Sequence, residues 1–365
     1  SEGCHDDVNK FIWSALSWDP EVDVVEVLRE YSRYFIGDRY TDDFAQGLLA
    51  LERNWEGPLA TNGGVYSTLQ QFQAMEEAAS PWDLKNWRFQ QGLYRAYYDA
   101  YIRSRLLYEM GLEAQAMGQL QEARAKGSLV AMAEAERILD RAELEPIARG
   151  WRTRIHQLAE ALFQSIHMQL AVRLYQGMEE VRGANLDGVD YPLNDRPWLK
   201  AQFAEIRQLS DEEDRLKAIQ EVVDWENPGP GGFNEAPGCS FHTPHVVKGP
   251  GFAEDPGYLV SPLRRYPYRK DKNPVRVAWR GYVGMLNDQP LPMRHTGLDP
   301  EAEYKIRVVY SAEKPEIKVR LDANGDIEVH PYIHKPPQQG PVEFDIPQEA
   351  TRGGTLELAW RREQG

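Results

Sequence analysis

Cysteine is nearly absent from this sequence. Only Cys4 and Cys239 occur among 365 residues, which excludes a disulfide framework and allows at most one bridge. Neither cysteine lies in a CxxC pair or in a Cys/His cluster with zinc-ligand spacing. We therefore expect two free thiols and no zinc site.

Long apolar runs and an excess of basic residues are also missing. No stretch approaches the roughly 20 apolar residues that cross a bilayer, and no signal peptide is visible. The formal net charge of -15 argues against nucleic acid or an anionic membrane as partner, because both reward clustered Lys and Arg. The charge is compatible with a neutral or cationic ligand, and a solvated acidic surface is the simpler explanation for it. A secreted or periplasmic location is compatible with the sequence.

The short motifs of nucleotide-binding and hydrolytic enzymes are absent as well. We find no Walker A loop, GxGxxG, GxSxG or HExxH, and no cofactor is predicted. Asp322, Asn324, Asp326 and Glu328 suggest a calcium loop, but Gly325 is fourth where an EF-hand needs glycine at its sixth position. Asn324-Gly325 between two alternating runs instead predicts a β-hairpin turn.

What the sequence has in abundance is helical periodicity, which continues as far as Trp225. A chain of 365 residues exceeds the size of a single core, so two or three domains are expected. Pro81 and Pro146 suit the first turn of a helix, since their missing N–H would be unpaired there. Three helices are expected to begin at Asp6, Asp23 and Thr41, and a fourth is expected after the turn at residues 62–64. Further helices are expected at residues 81–125, 128–139, 145–180, 197–208 and 211–223.

Beyond Trp225 the composition changes to Pro, Gly and short alternating runs. The stretch NPGPGGFNEAPG is neither regular helix nor regular strand. The spacing of these alternating runs, with turn residues between them, predicts an antiparallel β-sandwich. Its strands are expected at residues 275–279, 304–310, 317–321, 327–330, 342–346 and 355–360. The predicted fold class is α+β multidomain, an α-helical bundle domain followed by an antiparallel β-sandwich. The predicted domains are a barrel-end segment at 1–20, the bundle at 21–224, a Pro/Gly-rich linker at 225–256 and the sandwich at 257–365.

The opening segment carries the first group of candidate site residues. It resembles the last strand-to-helix crossing of a barrel, whose active site lies at the carboxyl ends of the strands. Glycoside cleavage needs paired carboxylates with an aromatic platform nearby, so Glu2, Asp6 and Asp7 are candidate catalytic residues. His5 and Trp13 are candidate substrate contacts. The alternative is that an aspartate caps the helix and Trp13 belongs to the core.

A second group lies on the aromatic-rich segment that follows Asn86. Tyr94 and Tyr98 share one helix face by their spacing, and aromatic faces stack on sugar CH groups. With Arg88 they are candidate saccharide contacts. The alternative is that the tyrosines are bundle core and that Arg95, Asp99 and Arg103 form an ion ladder on the helix surface.

A third group lies in and after the Pro/Gly-rich loop. Its conformationally rigid prolines and permissive glycines indicate a loop whose shape is set by the residues around it. Such a loop could close over the mouth of an active site, and an interdomain linker is the alternative. The candidate substrate contacts here are Trp225, Glu226, Asn227, His242 and His245.

The sequence resembles the carboxyl-terminal regions of large bacterial glycoside hydrolases, barrel enzymes of the β-N-acetylhexosaminidase and α-glucuronidase type. The similar runs are SEGCHDDVNKFIWSALSWDPEVDVVEVLREYSRYFIG, NWRFQQGLYRAYYDAYIRSRLLYE, DWENPGPGGFNEAPG, MRHTGLDPEAEYKIRVVY and FDIPQEATRGGTLELAW. Cys4 and the stretch 234–240 depart from the pattern. The resemblance implies an oligo- or polysaccharide partner, a catalytic barrel that precedes Ser1, and a sandwich with an accessory role.

Three hypotheses follow for the function. The first is the carboxyl-terminal part of a glycoside hydrolase that contributes to a composite saccharide site with the upstream barrel. The second is a non-catalytic carbohydrate-binding or scaffolding module. The third is an independent enzyme whose carboxylates lie within this chain, with Glu56, Glu226 and Glu235 as candidates. Tyr266, Tyr268, Trp279 and Tyr282 are the sandwich aromatics whose exposure would favour glycan binding.

Overall fold

The computed structural model describes residues 6–54, 56–178, 185–238, 243–253, 274–311 and 314–363. Helices dominate the chain as far as Val223, and an antiparallel β-sandwich follows, which confirms the predicted fold class. The α-helices of the described residues are α1 (Asp6–Trp18), α2 (Val24–Phe35), α3 (Thr41–Arg53), α4 (Gly64–Ala78), α5 (Trp87–Gln121), α6 (Ala123–Lys126), α7 (Ser128–Leu144), α8 (Arg149–Ile166), α9 (Val172–Tyr175), α10 (Arg196–Ile206), α11 (Glu212–Val223) and α12 (Gln348–Thr351). The strands are β1 (Phe252–Ala253), β2 (Gly284–Met285), β3 (Leu291–Thr296), β4 (Tyr304–Val309), β5 (Lys318–Ala323), β6 (Ile327–His334), β7 (Pro341–Ile346) and β8 (Thr355–Arg362).

The described residues form two compact units. Unit 1 comprises residues 6–54, 56–112, 140–178 and 185–193, and unit 2 comprises 113–139, 194–238, 243–253, 274–311 and 314–363. Helices α5 and α7 contribute residues to both units.

The core of unit 1 forms around the first part of α5, where Phe89, Leu93 and Tyr94 are fully buried. Gly92 allows the close approach of α3 and α4, because a Cβ built there would lie 2.6 Å from the Phe72 ring and 3.2 Å from the Phe44 ring. The helix is buried on more than one face, which explains why its apolar pattern is not a single stripe.

Charged residues of α5 are buried in unit 1 as well. The prediction that Arg95, Asp99 and Arg103 form a surface ladder is wrong, since all three side chains are at most 10% exposed. Arg95 pairs with Asp99 at 2.7 Å, and Asn54 donates to Asp99 at 3.1 Å. Arg103 donates to the carbonyl oxygens of Leu59 and Ala60. Burial is possible because each group has a partner: Arg95 and Asp99 pair along α5, whereas Asp99 and Arg103 also bind groups that come from residues 54–60.

In unit 2 the sandwich consists of a four-stranded sheet, ordered β3-β8-β5-β6, and a β4-β7 pair, all antiparallel. Polar and apolar residues alternate along five of these strands, so the apolar side chains lie on one face of each sheet and that face is buried. These strands are β4, β5, β6, β7 and β8. The hairpin predicted at Asn324-Gly325 is confirmed, with φ of 47° and 97° at these residues. The apolar core between the sheets comprises Leu298, Leu321, Ala323, Ile346, Ala350, Leu356 and Leu358.

Several predicted elements are wrong in type or length. Residues 277–279 form a 3-10 turn (Val277–Trp279) instead of a strand, because the Val277 N–H donates to the Asp195 carboxylate at 2.6 Å and is not available to a neighbouring strand. The helix predicted at 145–180 begins at Arg149 and ends at Ile166, where His167 adopts a left-handed conformation with φ of 54°. Pro81 and Pro146 lie ahead of α5 and α8 and not within their first turns.

We predict that Gly92→Ala lowers the free energy of unfolding by about 1–3 kcal/mol, because the added methyl group overpacks the core against Phe72. Chemical denaturation measures the change. The control is Gly118→Ala on the same helix, where a Cβ meets no atom within 4 Å. That variant should gain about 0.5–1 kcal/mol from helix propensity. Equal effects of the two substitutions would contradict the close approach at Gly92.

Candidate functional site

The predicted site residues of unit 1 that the structure describes lie on α1 and on α5. Glu2 and His5 are outside the described residues. Asp7 accepts hydrogen bonds from the Tyr31 hydroxyl at 2.7 Å and from Arg88 Nε at 2.6 Å. The structure therefore brings two predicted residues, Asp7 and Arg88, into one ion pair. The second carboxylate oxygen of Asp7 is buried and has no hydrogen-bond partner among the described residues.

The remaining predicted residues of unit 1 do not join this pair. Asp6 forms an ion pair with Lys10 at 2.5 Å along α1. Trp13 is 74% exposed, so it is not part of the core. The rings of Tyr94 and Tyr98 are buried, and both hydroxyls donate to Asn185. The role of these tyrosines as saccharide contacts stays a prediction. In the structure both rings pack against other residues of the protein.

In unit 2 the predicted residues Trp225 and Glu226 belong to a polar and aromatic group, which we call the Arg276 cluster. Its members meet at the amino terminus of α10, the carboxyl terminus of α11 and the 3-10 turn at Val277–Trp279. The cluster comprises Glu113, Asp195, Trp198, Trp225, Glu226, Arg276 and Trp279.

Arg276 lies at the centre of the cluster. Its Nε donates to Asp195 at 2.7 Å and its Nη2 donates to Glu226 at 2.6 Å. Asp195 precedes α10, but its side chain caps no helical N–H and instead binds Arg276 and the Val277 N–H. The side chains of Arg276 and Asp195 are about nine-tenths buried, whereas that of Glu226 is 61% exposed. The cluster thus extends from a buried ion pair to a carboxylate at the surface.

Two tryptophan rings lie against this guanidinium, and the ring of Trp279 packs against both of them. The ring centroid of Trp225 lies 5.2 Å from that of Trp198 and 5.8 Å from that of Trp279. The Arg276 guanidinium lies 5.1 Å from the Trp198 centroid and 5.9 Å from the Trp225 centroid, within cation–π range. Trp198 is buried, while Trp225 and Trp279 are half-buried.

Glu113 completes the cluster from α5. Its Oε2 accepts a hydrogen bond from the Asp195 N–H at 2.8 Å. Burial, with a further contribution from the Asp195 charge, raises the pKa of the Glu113 carboxyl to about 7. The cluster therefore contains one carboxyl group that is partly protonated near neutral pH and another, that of Glu226, held by a guanidinium.

The other predicted loop residues have separate surroundings. The side chain of Asn227 accepts a hydrogen bond from the Gly229 N–H at 3.1 Å, which shapes the Pro/Gly-rich loop. His245 contacts Glu235, with Nδ1 3.0 Å from Oε1. His242, Tyr266 and Tyr268 lie outside the described residues. Tyr282 is half-buried.

The sequence interpretation missed Glu113, Asp195, Trp198 and Arg276. No local signal identifies them, because Glu113 is 82 residues from Asp195 and Glu226 is 50 residues from Arg276. Among the described residues, no three His, Cys, Asp or Glu side chains are arranged to hold a metal ion. No helix in the described part of the chain is both long and apolar enough to span a bilayer.

Comparisons with known proteins return nothing for this chain. No protein-family model matches it, no curated protein is similar to it, and no solved structure has a matching fold.

We predict that Glu113 makes stability depend on pH. The pKa of this group is 4.5 when unperturbed and about 7 in the folded chain, so the folded state holds the proton more tightly. The stabilisation is therefore complete below about pH 4.5 and is lost as the pH rises through about 7. Glu113→Gln should exceed the parent protein in unfolding free energy by about 1–3 kcal/mol at pH 8.5 and by much less at pH 5.5.

Urea denaturation at pH 5.5, 7.0 and 8.5 measures this difference. Glu349→Gln, which alters an exposed glutamate of the same unit, is the matched control and should show no such trend. A difference between Glu113→Gln and the parent that stays constant across these pH values would contradict the raised pKa.

Proposed function

We propose that this chain contributes a saccharide-recognition site to a carbohydrate-active enzyme of the glycoside hydrolase type, and that the Arg276 cluster is this site. The observation that carries the proposal is the position of the half-buried Trp225 and Trp279 rings beside the exposed Glu226 carboxylate. Glycan sites combine these features because ring faces pack on sugar CH groups while carboxylates accept hydrogen bonds from hydroxyls.

The substrate class follows from the sequence resemblance to glycoside hydrolase tails and from charge. The cluster contains three carboxyl groups and one guanidinium. A second guanidinium, that of Arg307, lies 5.3 Å from the Trp225 centroid but is paired with Glu343, so the net charge is negative when the acids are ionised. A neutral or amino sugar is therefore favoured over a uronate. In this proposal the main hydrolytic carboxylates belong to a barrel that precedes Ser1, and Asp6 and Asp7 stand as candidate contributors to a composite site.

A scaffolding role is the second candidate, and it too has an observation in its favour. The ion pair of Asp195 with Arg276 and the ring of Trp198 are buried, and Gln339 donates to the Trp279 carbonyl oxygen at 2.5 Å. These contacts tie the 3-10 turn to α10 and to the loop between β6 and β7 of the same unit. On this alternative the cluster stabilises unit 2 and binds no ligand.

Saccharide binding by the purified 365-residue chain tests the proposal. Isothermal titration with neutral and amino oligosaccharides should show a defined affinity that is absent with oligouronates. Trp225→Ala should weaken this affinity about tenfold, because an aromatic contact contributes about 1–1.5 kcal/mol. Glu226→Gln should weaken it while leaving the fold intact, since this side chain is 61% exposed.

Trp82→Ala is the control, because this ring is 82% exposed in unit 1 and lies outside the cluster. It should bind as the parent protein does. Absence of binding to every glycan tested, together with a loss of stability in Trp225→Ala, would favour the scaffolding role. Turnover of aryl-glycosides that Glu113→Gln abolishes would place an acid–base pair within this chain.

A further inference from the structure

A second cluster of unit 2 holds a chain segment against the edge of the four-stranded sheet. Strand β3 is at this edge. Residues 245–247 run antiparallel beside it, with Val246 opposite Met293. The Val247 N–H donates to the Pro292 carbonyl oxygen at 2.9 Å, and the Arg294 N–H donates to the His245 carbonyl oxygen at 2.7 Å. This segment therefore covers part of a strand edge that has no other paired strand in the described part of the chain.

The side chains that hold the segment are two stacked imidazoles. His245 of the segment and His295 of β3 have ring centroids 4.4 Å apart and an interplanar angle of 23°. Phe233 packs against both rings, at 4.7 Å from His245 and 5.0 Å from His295. His295 is only 7% exposed. We call this group, with Glu235, the imidazole clasp.

Glu235 supplies the negative charge of the clasp. Its Oε1 lies 3.0 Å from His245 Nδ1 and accepts the His245 backbone N–H at 3.2 Å. Its side chain is 8% exposed, and its Oε2 has no hydrogen-bond partner among the described residues. Nδ1 of His295 is likewise buried and unpartnered within the described part of the chain. One carboxylate thus faces two imidazoles and binds only one of them.

The remaining charges near the clasp do not neutralise a second cation. Arg294, next to His295 on β3, forms an ion pair with Glu357 of β8 at 3.6 Å. On β8 the residue opposite His295 is Leu356, which is apolar. Among the described residues, the groups that face His295 are therefore Glu235, His245, Phe233 and Leu356. Burial, and then the neighbouring His245, lower the pKa of His295 below its usual value of 6.5.

We propose that the imidazole clasp is an acid-sensitive latch, which holds residues 243–248 on β3 while His295 is neutral and releases them when His295 takes up a proton. A cationic His295 would be buried, unpaired and stacked on a second imidazole, so it is better solvated when the segment has left the strand edge. The closed form is fully stable above about pH 6.5 and becomes less stable as the pH falls below that value. The latch does not depend on saccharide binding, although the released segment continues from the loop that carries Trp225 and Glu226.

Hydrogen–deuterium exchange of the full chain tests the latch. Peptides that contain the Val247 and Arg294 amides should lose protection several-fold between pH 7.5 and pH 5.0, after correction for the intrinsic exchange rate. The loss of protection at pH 5.0 cannot exceed about 30-fold, because the imidazole in the open form has a pKa near 6.5. Peptides from β5 and β8 should keep their protection, because release is local and not global unfolding.

Two substitutions separate the latch from a general effect of acid. His295→Phe keeps an aromatic ring in the stack but cannot be protonated, so protection of the segment should be equal at both pH values. His334→Gln, at an exposed histidine on β6 of the same unit, should behave as the parent protein. Unchanged protection in the parent at pH 5.0, or the same loss in His295→Phe, would overturn the proposal.

Glu235→Gln provides an independent variant if His295→Phe does not fold. Glu235 is the one carboxylate among the described residues that faces the imidazoles. Removing it makes protonation of the closed form more costly, so the loss of protection at pH 5.0 should exceed that of the parent. A loss equal to or smaller than that of the parent would also overturn the proposal.

Discussion

The ion pair between Arg276 and Asp195 is the interaction on which the site in unit 2 depends. It joins the amino terminus of α10 to the 3-10 turn at Val277–Trp279 and leaves one edge of the guanidinium to orient Glu226. Removing one partner of a buried pair leaves an uncompensated charge and typically costs about 3–5 kcal/mol, whereas the intact pair adds little net stability. Its effect in this protein is therefore one of position: it determines where Trp225, Trp279 and Glu226 lie.

Unit 1 uses buried charge in a similar way. Asp99 on α5 is 2% exposed and receives Arg95 from its own helix and Asn54 from the end of α3. Thr68 on α4 donates to the Asn54 side chain at 3.1 Å. A network of this kind requires every member to have its partner, because an unsatisfied buried polar group is costly. It thereby specifies which helices pack around α5, in addition to the apolar contacts of Phe44 and Phe72.

The sequence predicted elements well wherever the signal is local. Asp211 caps α11, Pro197 stands in the first turn of α10, and Asn324-Gly325 forms the turn between β5 and β6. The secondary-structure prediction failed where a backbone group is hydrogen-bonded to a residue distant in the sequence. At Val277, for example, the N–H donates to Asp195. The sequence prediction also failed for Arg95 and Arg103, because helical spacing shows which residues share a face but not what covers that face.

In the candidate site, too, some residues were predicted from the local sequence and others were found only in the structure. The composition of the loop was enough to single out Trp225, Glu226 and His245, because Trp, carboxylate and imidazole side chains amid Pro and Gly are unusual in a simple linker. Their roles in recognition stay predictions. Their partners Glu113, Arg276 and His295 have no distinguishing neighbours in the sequence and acquire their chemistry from burial. By itself the sequence determined the fold class, most helix and strand positions and the special character of the loop, since these arise from interactions within a few residues. Only the tertiary structure decided which charges are buried together, because desolvation and pKa depend on groups that the folded chain brings from 50 or more residues away.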